Sequence, residues 1–313
     1  EYGLEHRTIS SKDVKHIGLK SLIANQILRK YARNKTIKKV SSVKLTIPNQ
    51  GIKVVKKEIQ IPCLKLVLPI LFNQGFEKIN QLEIGKEFAF ISVSIKEPKA
   101  YVPETIIGVD RNATKHVLVA SNINTGKILK LGKECQHIHN KYKHIRKNLQ
   151  AKQKFSLLKK IKNRESRIVR NINHQISKKL VTNAQNNKAV IVLEELKNIR
   201  KTAKTRKKQR YSLNSWSFCQ LQRMIEYKAK KYGVPIAYVA PQYTSQRCSK
   251  CGLIDKNSRK EKEYHCTGCG MVENADANAG FNIGYLYQTG ISQFNADSDA
   301  LKGNTDIPKE AML

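Results

Sequence analysis

The chain has 313 residues, 40% of them hydrophobic, which is enough for two or three domains with real cores. Its 59 Lys and Arg stand against 24 Asp and Glu, a formal charge of +35 that no ordinary soluble enzyme requires and that points to a polyanionic partner. An anionic membrane surface is the competing reading, but the longest apolar run, residues 66–72, is broken by Pro69 and is too short to span a bilayer.

In chain order, residues 18–36 place Leu19, Leu22, Ile27 and Leu28 among basic residues and predict an amphipathic helix. From Val43 the pattern becomes β-branched and alternating, punctuated by Pro and Gly, and predicts a small β domain of barrel type. Residues 105–110, TIIGVD, read as a short strand ending in Asp110. Residues 116–122 and 126–131 follow as two further strands of an antiparallel meander. Apolar stripes through Ile138, Tyr142, Ile145 and Leu149, and through Ile161, Ile168, Ile172, Ile176 and Leu180, predict a hairpin of two helices over about 135–187. From Cys135 to Leu193 there are 15 Lys or Arg and one acid, Glu165, so phosphate is the natural counter-charge.

Residues 189–196, AVIVLEEL, read as a buried strand ending in two acids. The loop behind it, residues 197–210, has 8 basic residues and no acid. Lys204, Arg206, Lys207, Lys208 and Arg210 are its candidate nucleic-acid contacts. A helix over about 215–232 stops at Gly233 and Pro235, and a strand follows. After Tyr287 the chain is polar and reads as a tail.

Two Cys-x-x-Cys knuckles, Cys248/Cys251 and Cys266/Cys269, each precede a glycine. Two such pairs make a closed, tetrahedral four-sulfur site of structural zinc. His265 in place of Cys266 is the alternative ligand. Cys63, Cys135 and Cys219 are scattered and read as free thiols of a reducing, cytoplasmic compartment. Seven residues past the last knuckle, Asp276 opens ADANAGFNIG, whose small residues suit a helix lying close to a sheet. One acid thus closes the first strand of the meander, one closes the fourth strand, and one opens the last helix. If the first and fourth strands are neighbours, Asp110, Glu194 and Asp276 converge and can hold two Mg2+ or Mn2+ ions for phosphodiester hydrolysis. Alternation alone does not separate Glu194 from Glu195, because both faces of that strand are apolar upstream.

IIGVDRNA, IVLEELKNIR and TSQRCSKCG…CTGCGMVENADANAGFNIG together resemble the TnpB (OrfB) family of insertion sequences, relatives of the type V CRISPR effectors. The resemblance spans roughly residues 45–286. It implies an α/β, RNase H-like (RuvC) domain with an inserted zinc ribbon, preceded by a β-barrel-like wedge domain. It carries catalytic roles onto Asp110, Glu194 (the first acid of an E-x-L motif, hence not Glu195) and Asp276. It also implies a guide RNA, a target DNA cleaved next to a short adjacent motif, and no membrane partner. The expected division is 1–42, a remnant of a helical recognition region; 43–104, wedge; 105–243, nuclease, first part; 244–273, ribbon; 274–288, last nuclease helix; 289–313, tail. Family members carry more chain before the barrel than the roughly 42 residues here. The alternative function is therefore a truncated relative that binds nucleic acid without cutting, or a transposase accessory protein.

Overall fold

In a computed structural model of the chain, residues 2–6, 9–71, 75–85, 87–113, 115–196 and 217–291 are described. The chain divides into two compact units, residues 1–96 and 97–313. Residues 97–104, grouped with the first β region on sequence, pack in the second unit, where the Tyr101 hydroxyl donates to the carbonyls of Ala184 and Ala189.

The first unit begins with α1 (Tyr2–Glu5) and α2 (Ser21–Ile27). The helix expected over 18–36 is shorter than its apolar pattern. Gly18 adopts a left-handed φ of 76° that closes a preceding 3-10 turn, and α2 passes into a π-helical turn at Leu28–Ala32. Six strands follow: β1 (Leu45–Pro48), β2 (Lys53–Val55), β3 (Glu58–Ile61), β4 (Leu66–Pro69), β5 (Lys78–Ile84) and β6 (Ala89–Ser94). They form two antiparallel sheets, β1-β5-β6 and β2-β3-β4, and no single closed barrel among the described residues. Prolines at the ends of β1 and β4 limit those strands to four residues, and the sheets share one apolar core of Ile47, Ile59, Ile61, Ile79 and Leu82.

The second unit is built on a five-stranded sheet of β7 (Thr105–Arg111), β8 (Leu118–Asn122), β9 (Ile128–Leu131), β10 (Ala189–Glu194) and β11 (Ile236–Val239). Its order is β11-β10-β7-β8-β9. The meander β7-β8-β9 is antiparallel, while β10 runs parallel to both β7 and β11. The first and fourth strands are therefore neighbours, as the carboxylate argument requires.

One face of the sheet carries α3 (Glu134–Ala151), α4 (Phe155–Ile161), α5 (Arg164–Asn186) and α6 (Phe218–Tyr232). The expected two-helix hairpin is three helices: Gln153 (φ 52°) ends α3 between the two apolar stripes, and a turn at residues 162–163 splits the second stripe into α4 and α5. Ile107, Val109, Ile191 and Leu193 face Leu180, Leu221 and Ile225 across this core. Strand alternation sends Ile106, Gly108, Val190 and Val192 to the other face. There α7 (Ala275–Thr289) packs, with Ile283 against Val190 and Val192.

That helix lies unusually close to β7. A Cβ added at Gly108 would stand 2.0 Å from the Gly280 carbonyl oxygen and 2.5 Å from the Gly284 nitrogen. One added at Gly284 would stand 2.5 Å from Ile123. The backbone obstacles around Gly108 cannot rotate away. Gly108→Ala should therefore destabilise the protein by about 3 kcal/mol, read as a lower denaturation midpoint at unchanged slope. An unchanged midpoint would mean that α7 does not approach the strand this closely.

Candidate active site and four-cysteine cluster

The register that pairs Val109 with Leu193 brings the carboxyl ends of β7 and β10 side by side. Asp110 follows Ile106 and Gly108 on the α7 face, and Glu194 follows Val190 and Val192 on that same face. Asp276 lies in the first turn of α7, whose dipole favours an acid there. All three carboxylates are buried, Asp110 and Glu194 at 8% exposure and Asp276 at 1%. Glu195 points the opposite way and is exposed. The packing of α7 thus separates two acids that strand periodicity left equivalent.

Neutral side chains orient two of these acids. Asn112 Nδ2 donates to Asp110 Oδ2 at 2.9 Å, and Thr244 Oγ1 donates to Glu194 Oε1 at 2.6 Å. Burial, followed by the charges of Glu194 and Asp276, pushes the Asp110 carboxyl up to about 7. Burial also raises Glu194, against the hydrogen bond from Thr244 and the charges of Arg111 and Arg259.

Cations approach from two sides. Behind the sheet, Arg111 Nη2 donates to the Glu194 carbonyl oxygen at 2.6 Å and Nη1 to Gln222 Oε1 at 2.7 Å. On the open side, Lys262 Nζ contacts Asp276 Oδ1 at 2.9 Å and Oδ2 at 2.6 Å, and Arg259 Nη2 contacts Oδ1 at 3.1 Å. These two residues, with Asn112 and Thr244, are what sequence reasoning missed. Asn112 had a signal, since it continues the two-residue period of Asp110. The basic run around Arg259 and Lys262 had none beyond its place between the knuckles.

Arg259 opens β12, and Lys262 lies in the turn between β12 and β13, of a three-stranded sheet of β12 (Arg259–Lys260), β13 (Glu263–His265) and β14 (Val272–Asn274). Beside it, the sulfurs of Cys248, Cys251, Cys266 and Cys269 all lie within 4.8 Å of one another. Cys248 and Cys269 sulfurs are 3.7 Å apart, and those of Cys251 and Cys266 are 3.4 Å apart. Four ligands at 2.3 Å around a tetrahedral ion would stand about 3.8 Å apart, so the set fits such an ion. His265 is outside the cluster, and its Nε2 lies 3.4 Å from Glu263.

Asparagines tie the four-cysteine region to α7, two of them, Asn278 and Asn282, fully buried. Asn274 caps the helix by accepting from Ala277 N. Asn278 accepts from Ser249 N and donates to the Arg247 carbonyl, and Asn282 donates to the carbonyls of Thr244 and Arg247. Of the remaining candidates, Lys204, Arg206, Lys207, Lys208 and Arg210 lie outside the described residues. Among the described residues no helix is long and apolar enough to cross a membrane.

Comparison with known proteins follows this geometry. A TnpB-like protein of Methanocaldococcus jannaschii is 31% identical over 225 residues, covering 68% of this chain and 79% of its own. The chain belongs to the TnpB family. The family model described as Cas12f1-like, TNB domain, matches residues 218–283 of this TnpB chain, which hold α6, β11 and the four cysteines. A CRISPR-associated endodeoxyribonuclease Cas12f1 of Syntrophomonas palmitatica is 28% identical over 216 residues, covering 64% of this chain and 42% of its own. The chain shares its fold with the protein of a Cas12f1–sgRNA–target DNA complex solved by cryo-electron microscopy (TM-score 0.51, 23% identity), covering 66% of this chain and 45% of that one.

The raised carboxyl of Asp110 has a stability consequence. Its folded pKa of about 7 lies above the ordinary 3.8, so the folded state holds a proton that the unfolded state releases between those values. Below pH 3.8 the group is neutral in both states and contributes nothing. Stability therefore falls as pH rises from 3.8 to about 7, and above 7, where the folded state is ionised beside two carboxylates, the loss is complete. In zinc-containing buffer without magnesium, Asp110→Asn should raise Tm by several degrees at pH 8 and leave it nearly unchanged at pH 4. An equal effect at both pH values would mean that Asp110 carries no such repulsion.

Proposed function

We propose that residues 105–243 and 274–288 form an RNase H-like (RuvC) nuclease, that residues 244–273 are a zinc ribbon, and that the β region before them is the wedge domain of this family. The chain is then an RNA-guided, Mg2+-dependent DNA endonuclease of an insertion sequence. The observation that carries this reading is the burial of Asp110, Glu194 and Asp276 together at two strand ends and one helix start. Three hard carboxylates gathered in one buried place, where Glu194 and Asp276 raise the proton affinity of Asp110, fit magnesium or manganese and not a soft ion. Two such ions supply an activated water and stabilise the leaving oxygen of a phosphodiester. Asp110, Glu194 and Asp276 would hold them, with Asn112 and Thr244 fixing the carboxylate planes.

The relatives support nucleic acid as the substrate class. One is an endodeoxyribonuclease, and the solved protein that shares the fold is held with sgRNA and target DNA. The exposed basic residues of α3–α5, among them Lys143, Lys147, Arg167 and Arg170, offer a phosphate-binding face on the side of the sheet away from α7.

Two experiments test the parts separately. Glu194→Gln should abolish metal-dependent DNA cleavage by more than about a hundredfold while nucleic-acid affinity stays within about twofold. Glu195→Gln, on the opposite face, should keep both. Activity lost in Glu195→Gln and retained in Glu194→Gln would refute the assignment. Wild-type protein that binds nucleic acid but stays inactive with guide RNA and Mg2+ would favour the non-cleaving relative. For the ribbon, elemental analysis should find one zinc per chain. Cys266→Ser should lose it and lower Tm, because structural zinc contributes folding energy directly. Freshly purified, folded protein with no zinc would overturn the ribbon reading.

A further inference from the structure

Lys262 reaches the acid cluster from the turn between β12 and β13. Its ammonium touches both oxygens of Asp276, at 2.9 and 2.6 Å, and Asn112 Oδ1 at 3.2 Å. Asn112 in turn holds Asp110 through its amide nitrogen. One cation therefore links the two acids in a single chain of hydrogen bonds, with its side chain 14% exposed and that of Asp276 2%. Both Asp276 oxygens that would ligate an ion are occupied by the same ammonium.

The main chain of Lys262 is fixed independently of that contact. Its carbonyl oxygen accepts from Ala275 N at 2.9 Å and from Asn274 Nδ2 at 3.1 Å, at the start of α7. The charge thus sits on a flexible four-carbon stem with a rigid root, and can leave Asp276 without the turn moving. Arg259 remains on Asp276 Oδ1 at 3.1 Å.

We propose that Lys262 is a tethered placeholder cation. It occupies the Asp276 carboxylate in the resting protein, swings out before a divalent ion is held there, and finds its new partner on a phosphate of the bound strand. This rests on the metal-site reading above. The physical argument is exclusion: an ammonium and a divalent ion cannot share the same two carboxylate oxygens, because like charges at that range repel strongly inside a buried site. A state in which the site is plugged lowers the apparent affinity for the ion by the fraction of molecules that are open. A phosphate that captures the ammonium raises that fraction, so strand and ion favour each other's binding by the same factor. The device keeps the acid cluster charge-balanced when no substrate is present.

The test is Mn2+ binding by the full-length, zinc-loaded chain, read from the electron paramagnetic resonance of free Mn2+. Each protein is titrated with and without a single-stranded phosphorothioate DNA that resists cleavage, and the ion bound by DNA alone is subtracted. Lys262→Met should bind Mn2+ about tenfold tighter than wild type without DNA. The DNA should tighten wild-type binding by about the same factor and leave Lys262→Met unchanged. Asp276→Asn should weaken binding in both backgrounds. Lys262→Gln, with zinc content and circular dichroism as folding checks, guards against a packing effect of Met. If wild type binds Mn2+ through Asp276 but Lys262→Met and Lys262→Gln bind no tighter, the placeholder is refuted and the metal site stands. If Asp276→Asn changes nothing in either background, the metal site fails and the placeholder with it.

Discussion

The close approach of α7 to β7 is the constraint on which the rest of the second unit depends. Three glycines, Gly108, Gly280 and Gly284, let two backbones meet where any Cβ would collide with main-chain or core atoms. Because the helix lies against the strand, its first turn reaches the carboxyl ends of β7 and β10. The Ser121 hydroxyl reinforces the contact by donating to the Ala277 carbonyl at 2.9 Å. A helix seated at the usual distance of side-chain packing would carry Asp276 away from the other two acids.

Gathering three carboxylates in a buried place is unfavourable, and the protein meets this with charges from separate layers. Arg111 acts from the helical side of the sheet, through the Glu194 backbone and Gln222. Arg259 and Lys262 act from the cysteine-bearing sheet. Buried ion pairs of this kind add little net stability, since desolvation offsets much of the attraction. Their contribution is to fix which carboxylate oxygen points where. Part of the chain's excess positive charge lies away from the site, on exposed positions of α3–α5, where it costs little in water.

Much of this was legible in the sequence because periodicity and spacing carry it. The apolar runs ending in Asp110 and Glu194 are strands, and the four cysteines that were read as paired knuckles come together. Where local pattern and tertiary packing part company, the sequence was less informative. Residues 18–36 look uniformly amphipathic, yet Gly18 and the π-helical turn break them. The apolar stripe from Ile161 to Leu180 hides the turn at residues 162–163 that separates α4 from α5. The choice between Glu194 and Glu195 depends on which side α7 covers, which no strand reveals by itself. Arg259 and Lys262 sit in a run of charges that reads as solvated surface, and only the fold of the knuckles turns them toward Asp276. Asn278 and Asn282, spaced four apart in a helix of small residues, did carry a signal of one polar stripe facing a buried partner.

β14 ends at Asn274 and α7 starts at Ala275, with no residue between them. Asn274 serves as last strand residue and helix cap at once, and the Lys262 carbonyl ties the neighbouring turn to the same point. The joint has no slack. Lengthening the chain by one residue here would rotate Asp276 by about 100° around the helix axis, off the strand ends. The turn whose exposed tip is Lys256 and Asn257 sits on no such joint, so extra residues there would not turn that helix. Length changes in this four-cysteine region are therefore confined to its outer loops, and its seam with the helix works as a fixed gauge that sets where the third acid stands.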